Sequence, residues 1–286
     1  MKRHVLPLVW LAERTVAEHG GGQAGTLPAL RQLRRLGLAD FAEALLEMPR
    51  QDMPNLAACL PRMPPAEVQR NFNGADGLPL LQDSISFVRM LDTRVHELLH
   101  RPLRDARVLD FGCGWGRLMR LMLYYTDPAR LSGVDPLPLA LELGREYNTL
   151  GTLTASDLLP RTLPMQEAPY DVIYSYSVFT HLSIKAMDVA LNTLRQVIAP
   201  NGLLVVTVRP VEYWQQGEDV EALRAKHLQD GFAFRPHGWP PVEGEVTYGD
   251  SSMEIGWFTR RYPQWELRGF DRGQDATQVA LLLTPR

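Results

Sequence analysis

Cysteine is nearly absent from this chain. Two residues in 286, Cys59 and Cys113, are too few and too far apart for a disulfide framework or a metal knuckle. A strong charge of one sign is missing as well. The formal net charge is −3, with 14 basic against 12 acidic residues up to Arg107 and 16 against 21 beyond it. Neither part carries the basic field that gathers nucleic acid. No apolar run is long enough to span a membrane. Lys2, Arg3 and His4 precede an apolar stretch as in an export signal, but Glu13 and Arg14 interrupt it where a secretory core would continue to small residues. No repeat or low-complexity tract occurs. The expectation is a reducing, cytoplasmic setting, with no metal and no nucleic-acid partner, and a composition (45% hydrophobic, 22% charged) ordinary for a folded globular chain.

What the sequence does contain is VLDFGCGWGRLMR, Val108 to Arg120. Val108, Leu109 and Phe111 read as a buried strand, and Arg117 to Tyr125 as a helix. Between them Gly112, Gly114 and Gly116 remove the Cβ atoms where the backbone must turn tightly and approach a ligand. The spacing is G-x-G-x-G, whereas the dinucleotide fingerprint requires G-x-G-x-x-G to seat a pyrophosphate on the helix N-terminus. A ligand without a pyrophosphate is therefore expected. With Asp110, Cys113 and Trp115, the run resembles the first motif of the class I S-adenosylmethionine-dependent methyltransferases, which reads much like V-L-D-x-G-C-G-x-G.

The segments that follow agree with that resemblance. Leu131 to Val134 forms a second strand ending in Asp135 and Pro136, an acid placed to accept two ribose hydroxyls. A dehydrogenase would show the same acid. Next come Leu153 to Leu158 and Tyr170 to Leu182, the latter a strand running through a loop into a helix. The resemblance implies that Asp157, flanked by Ser156 and Leu158, contacts the adenine amino group; capping of a turn is the other reading of that aspartate. It further implies that Ser175, Tyr176 and the residues after them line the reacting centre, that Asp110 holds the glycine loop or reaches the methionine ammonium through water, and that Trp115 covers the ligand.

The end of the chain defines the sheet. Leu203 to Val208 reads as a fifth strand, and Gln264 to Phe270 and Thr277 to Leu283 as two more, joined by only Asp271 to Ala276. A parallel crossover needs about a dozen residues or more, so this last pair is antiparallel. That pairing agrees with the fold the resemblance implies: α/β, a Rossmann-like seven-stranded sheet with an antiparallel seventh strand beside the fifth, here with an N-terminal helical lid. The ending FDRGQDATQV is similar to the tails of bacterial methyltransferases of glycan and natural-product pathways.

Two stretches exceed such a core. Residues 1–80 are expected to form the helical N-terminal extension and 81–286 the catalytic domain. Val5, Leu8, Val9, Leu11 and Val16 mark one helix, a second runs from Leu27 to Met48 with Arg31, Arg34 and Arg35 on a solvated or phosphate-binding side, and Pro49 to Pro65 reads as a linker or a string of turns. Arg70 to Gly74 reads as a polar turn in which Arg70 pairs with a carboxylate or lies free on the surface. A helix from Gln82 to His100 precedes the first strand. The second stretch, Arg209 to Asp250, is too long for an ordinary connection. Its Gly and Pro content argues against regular helix through most of it. Tyr213, Trp214, Trp239, Arg209 and His237 are the expected contacts to an acceptor, the aromatic residues forming the lid's own small core in the competing reading.

The implied cofactor presents an electrophilic methyl group, so the protein must position a nucleophile and exclude water. His181 is the expected base; a histidine satisfying the helix N-terminus beside Ser183 is the alternative. The expected activity is methyl transfer to a hydroxyl, less readily an amine, of a small-molecule or glycan acceptor. A nucleic-acid enzyme would carry N/D-P-P-Y/F near Ser175 to Val178, which is absent. A protein methyltransferase and a non-catalytic cofactor-binding subunit remain as rivals, and the oligomeric state is open.

Overall fold

The computed structural model describes residues 3–164, 168–215, 217, 219–275 and 277–286, with the side chains of 273–275 left aside. Lys2 and Ala276, both named above, lie outside this set. In chain order the elements are α1 (Leu6–Glu18), α2 (Gly22–Leu33), α3 (Leu38–Leu46), α4 (Pro54–Cys59), α5 (Ala66–Asn73), α6 (Gly77–Leu99), β1 (Val108–Phe111), α7 (Arg117–Met122), β2 (Leu131–Asp135), α8 (Pro138–Glu146), β3 (Thr152–Ala155), β4 (Tyr170–Ser175), α9 (Ile184–Val197) and β5 (Ile198–Val208). Then follow α10 (Val220–Asp230), β6 (Phe232–Pro236), β7 (Gly249–Met253), α11 (Ile255–Arg261), β8 (Trp265–Asp275) and β9 (Gln278–Pro285). A seven-stranded sheet has the order β3-β2-β1-β4-β5-β9-β8, and β6 and β7 form a separate hairpin. β9 runs antiparallel to both β5 and β8, while β4 is parallel to β1 and β5 and β2 to β3. The α/β reading with an antiparallel last strand therefore holds. Strands β8 and β9 extend into the stretch read as a loop, with Asp275 paired to Gln278, so the turn is tighter than the sequence suggested.

The chain forms two compact units. One comprises Met1–Thr93, Arg101–Ala106 and Cys113–Ala155; the other comprises Arg94–His100, Arg107–Gly112 and Ser156–Arg286. In the first, the amino-terminal helices pack on the α7 and α8 region through named bonds. Arg34 donates to the carbonyls of Leu123 (2.8 Å) and Thr126 (2.7 Å) and pairs with Asp127. Asn148 donates to the carbonyl of Leu60, and Arg120, wholly buried, donates to that of Arg62. Arg34 is thus no part of a solvated face.

Several local expectations change here. The helix read from Leu27 to Met48 is two helices. α2 begins earlier, at Gly22, because Gly25 lies flush on α1, where a Cβ would sit 2.7 Å from the Cα of Val16. It stops before Gly37, whose extended backbone starts α3 and lets Leu36, Phe41 and Leu45 all turn inward. The proline stretch is not a linker: Met53, Leu56, Cys59 and Leu60 are buried and α4 folds within it. Residues Arg70 to Asn73 are the last turn of α5, closed by Gly74 in the left-handed region, and Arg70 pairs with Asp76. Both cysteines are buried, and neither takes part in a disulfide. Among the described residues no helix is long and apolar enough to cross a membrane.

One buried carboxylate joins α1 to α4. Glu13 is 6% exposed, and its oxygens accept from Asn55 N (3.0 Å), Asn55 Nδ2 (2.6 Å) and Leu56 N (2.8 Å), two of these being the amides that open α4. Glu13→Ala would leave three donors unsatisfied, each costing about 1–3 kcal/mol less whatever water recovers. The expected loss is roughly 2–4 kcal/mol in urea denaturation, with Glu13→Gln losing less because its carbonyl still accepts. Equal stability of Glu13→Ala and the parent would show that α4 docks without this bond.

Candidate active site

The turn after β1 gives its three glycines different tasks. Gly112, Gly114 and Gly116 all have positive φ, at 79°, 55° and 85°. A Cβ on Gly112 would lie 2.3 Å from Cγ2 of Val178, and one on Gly116 would lie 2.3 Å from Cγ2 of Thr149. Those two positions exclude a side chain because protein already fills the space. Gly114 differs: the nearest atom to its missing Cβ is Cδ1 of Phe72 at 4.0 Å, so its backbone faces open room.

Asp135, at the tip of β2, is anchored to this turn. The Gly114 amide donates to its Oδ2 (2.8 Å) and the Leu137 amide to its Oδ1 (2.9 Å). The side chain is 6% exposed; burial raises its pKa, against the lowering effect of the two amides. Each carboxylate oxygen retains a further lone-pair direction, an arrangement suited to two hydroxyl donors. Cys113 donates its amide to the Val134 carbonyl (3.0 Å), and Pro136 follows half-buried. Trp115 does not offer a face to a ligand. It is 1% exposed, its Nε1 donates to Asn73 Oδ1 (3.1 Å), and the Arg120 guanidinium lies 5.5 Å from its ring centroid.

In the second unit Asp110 is buried in β1, and Ser175, fully buried, donates its hydroxyl to the Phe111 carbonyl (2.9 Å). Tyr176 and Ser156 are half-buried, while Asp157 and Leu158 are exposed just past β3. The loop after β4 is shaped by Ser177, at φ 59°, whose amide donates to Thr207 Oγ1 (2.6 Å).

The insertion after β5 docks on that same loop. Ser251 N donates to Thr180 O, Gly249 N to His181 O, and Ser183 N to Thr247 O, so residues 180–183 run beside the approach to β7. Asp250 is the centre of the side-chain network. It accepts from Arg209 Nη1 (2.7 Å), Arg235 Nη2 (2.9 Å) and His237 Nε2 (3.1 Å). Burial alone would raise its pKa, but the bonds from Arg235, His237 and Arg209 more than offset this and hold the carboxyl well below the usual range. Arg209, nearly buried, also donates to Thr180 O and stacks 4.0 Å over the Tyr213 ring. Tyr248 stacks on His181 at 5.2 Å, and Trp239, exposed, meets Tyr248 at 4.9 Å. Trp214 backs this cluster from the core: it is 1% exposed, packs with Val220, Leu223 and Ala233, donates Nε1 to Ser252 Oγ (2.6 Å), and lies 5.2 Å from the Arg235 guanidinium and 5.0 Å from the Tyr213 ring. For Trp214 the lid-core reading is the observed one. Asp250 and Tyr248 were not singled out from the sequence; a lone acid closing an Arg- and His-containing insertion was the available signal.

Residues 108–202 match the methyltransferase-domain family. Over those residues the chain carries a methyltransferase domain. A malonyl-[acyl-carrier protein] O-methyltransferase of Halalkalibacterium halodurans is 30% identical over 172 residues, 56% of this chain and 61% of that protein. An uncharacterised protein of Rickettsia prowazekii is 24% identical over 134 residues, 45% of this chain and 52% of that one. The matched region thus spans less than two thirds of either relative. The crystal structure of a glycopeptide N-methyltransferase is similar in fold, with a TM-score of 0.50 at 12% identity, covering 71% of this chain and 90% of that one. The cofactor that belongs to this family is S-adenosylmethionine.

Within the methyltransferase domain the base expected at His181 is already engaged. A carbonyl only accepts and a guanidinium only donates, so the bonds Nδ1 to Gly249 O (2.7 Å) and Nε2 to Arg209 Nη2 (3.1 Å) together require a neutral ring protonated on Nδ1. Its Nε2 lone pair points at Arg209 and not at an acceptor proton. Burial first, then the Arg209 charge, push its pKa down to about 4. The unfolded chain takes up this proton near 6.5, so the neutral ring's contribution to stability is complete above pH 6.5 and is lost as pH falls towards 4. Each tenfold weakening of proton binding is worth about 1.4 kcal/mol, so the loss should be on the order of 2–3 kcal/mol between pH 7.5 and 4. Urea denaturation across that range should show a smaller loss in His181→Gln. Parallel pH profiles for the two proteins would mean that His181 keeps its ordinary titration in the fold.

Proposed function

We propose that the chain transfers a methyl group from S-adenosylmethionine to a hydroxyl, with an amine as second choice, of a small-molecule or glycan acceptor. The observation that carries this reading is the Asp135 carboxylate, clamped by the Gly114 amide beside the open Cα of Gly114, with one acceptor site left on each oxygen. That geometry fits a nucleoside ribose, and the G-x-G-x-G spacing departs from the pyrophosphate-binding fingerprint. The bound cofactor supplies an electrophilic methyl group on sulfonium, and the protein supplies position.

In this reading Gly112, Cys113, Gly114 and Gly116 shape the backbone cradle, and Asp135 with Pro136 holds the ribose. Asp157, flanked by Ser156 and Leu158, meets the adenine. Asp110, Ser175 and Tyr176 border the methionine part. Trp115 acts from behind, fixing α5 to the turn through Asn73. The acceptor lies against the insertion 209–250, where Tyr213, Arg209 and His237 surround Asp250 and Trp239 stands against Tyr248. His181 is a positioning residue that holds Arg209 and Tyr248. Two buried thiols and the absence of a disulfide between them suit a reducing cytoplasm.

Calorimetric titration with S-adenosylhomocysteine should show binding that weakens about tenfold or more in Asp135→Ala, since about 1.4 kcal/mol is one decade and the lost bonds involve a charged acceptor. Circular dichroism and melting of the variant serve as the folding control. Unchanged affinity in a folded Asp135→Ala would remove the ribose assignment, and tight NAD binding would overturn the cofactor reading. Release of S-adenosylhomocysteine in the presence of a panel of saccharides, small phenols and amines separates an enzyme from a binding subunit.

A further inference from the structure

The hydrogen-bonded network around Asp250 carries more positive than negative charge, and a second acid, Asp219, acts on Arg235 only through its field. One carboxylate, 8% exposed, faces two permanent cations, Arg209 and Arg235, with two imidazoles beside them. Arg209 is spent inside the fold: its Nη1 and Nη2 bind Thr180 O, Asp250 and His181, and its side chain is 10% exposed. Arg235 is not spent. Only its Nη2 is bonded, to Asp250, and its side chain is 31% exposed. Its Nε and Nη1 make no hydrogen bond among the described residues. Gly217 lies alongside Nη1, where a Cβ would come within 3.2 Å. His237, 37% exposed, uses Nε2 on Asp250 and has its other ring nitrogen unpartnered among the described residues. Beside these donors stand the Trp239 and Tyr248 rings, the former 38% exposed, in contact with each other at 4.9 Å and with the His237 ring 5.6 Å from Tyr248.

A guanidinium fixed by a buried carboxylate, with donors still turned outward, is a preorganised receptor for an oxyanion. Asp250 sets the orientation of Arg235 and His237 before any ligand arrives, which reduces the side-chain ordering that binding would otherwise require. The flat apolar surface of Trp239 adjoining it suits the C–H face of a sugar ring. We propose that Arg235 and His237 bind a carboxylate or phosphate group of the acceptor, and that this acceptor is an acidic saccharide whose ring rests on Trp239. This rests on the reading of the insertion as the acceptor side of a methyltransferase. A neutral glycan would cover the outward Nε and Nη1 donors of Arg235 without bringing an anionic acceptor to them, a penalty that discriminates against it.

The test uses the full chain saturated with S-adenosylhomocysteine at fixed ionic strength, titrated with D-glucuronate, D-glucose 6-phosphate and D-glucose. At least one acidic sugar should bind about tenfold or more tightly than glucose, a difference of about 1.4 kcal/mol. Arg235→Gln should abolish that preference, Trp239→Ala should weaken the acidic sugar and glucose alike, and S-adenosylhomocysteine affinity should stay within about threefold in both variants. Whichever of the two acids is preferred identifies the group as carboxylate or phosphate. Equal affinity for all three sugars, no binding of any, or an acid preference that survives Arg235→Gln would overturn the proposal. If Arg235→Gln does not fold, His237→Gln, at a more exposed position, should reduce the acid preference and serves in its place. A parent chain that fails to bind S-adenosylhomocysteine sinks the methyltransferase reading instead, and the sugar titrations without it then decide the oxyanion site by itself.

Discussion

The left-handed turn that follows β1 is the constraint on which the nucleotide side of this protein depends. Three alternating residues with positive φ bring the chain from β1 into α7 in five positions, a path that side-chain-bearing residues follow only with strain. At Gly112 and Gly116 the saved space is taken up at once by Val178 and Thr149, so the turn is locked by packing on each side of Gly114. Gly114 itself is left uncovered, with its amide directed at Asp135. The geometry of the carboxylate follows from that amide, and the room beside it follows from the missing Cβ.

Three buried carboxylates act as joints, and their donors decide what each is suited to meet. Glu13 is held by neutral amides from α4 and serves the packing of two helices. Asp135 is also held by neutral amides, which satisfy part of its lone pairs and leave its charge unanswered; its raised pKa reflects that burial. Hydroxyl donors are the natural complement. Asp250 is the opposite case, surrounded by two arginines and a histidine that lower its pKa and exceed its charge. Removing either Asp250 or Arg209 would strand a nearly buried ion, so the network is costly to break while being a modest source of net stability. Its larger consequence is order: it fixes the neutral tautomer of His181, the stack of Tyr248 on that ring, and the outward donors of Arg235.

Much of this architecture is carried by local pattern. Strand alternation, glycine spacing and the short connection before β9 each depend on neighbours within a few residues, and those rules hold wherever the segment is placed. The sheet, its antiparallel last strand and the place of Asp135 at the tip of β2 were legible for that reason. Helix boundaries were less so. The break at Gly37 and the early start of α2 depend on where Gly25 meets Val16 and where Leu36 must turn inward, contacts that no window of sequence contains.

Side-chain roles at the insertion belonged to the tertiary structure. The sequence by itself determined that residues 209–250 are rich in aromatic, arginine and histidine side chains. It could not determine that Trp214 enters a core, that Trp115 bonds to Asn73 42 positions away, or that His181 gives its Nδ1 proton to the carbonyl of Gly249 across 68. A histidine's chemistry is set by what its two nitrogens touch, and both partners here arrive from a distant segment. Residue type and spacing specify which groups are available. Burial and hydrogen-bond partners, which exist only once the chain has closed on itself, decide whether such a group takes a proton, holds a neighbour or faces a ligand.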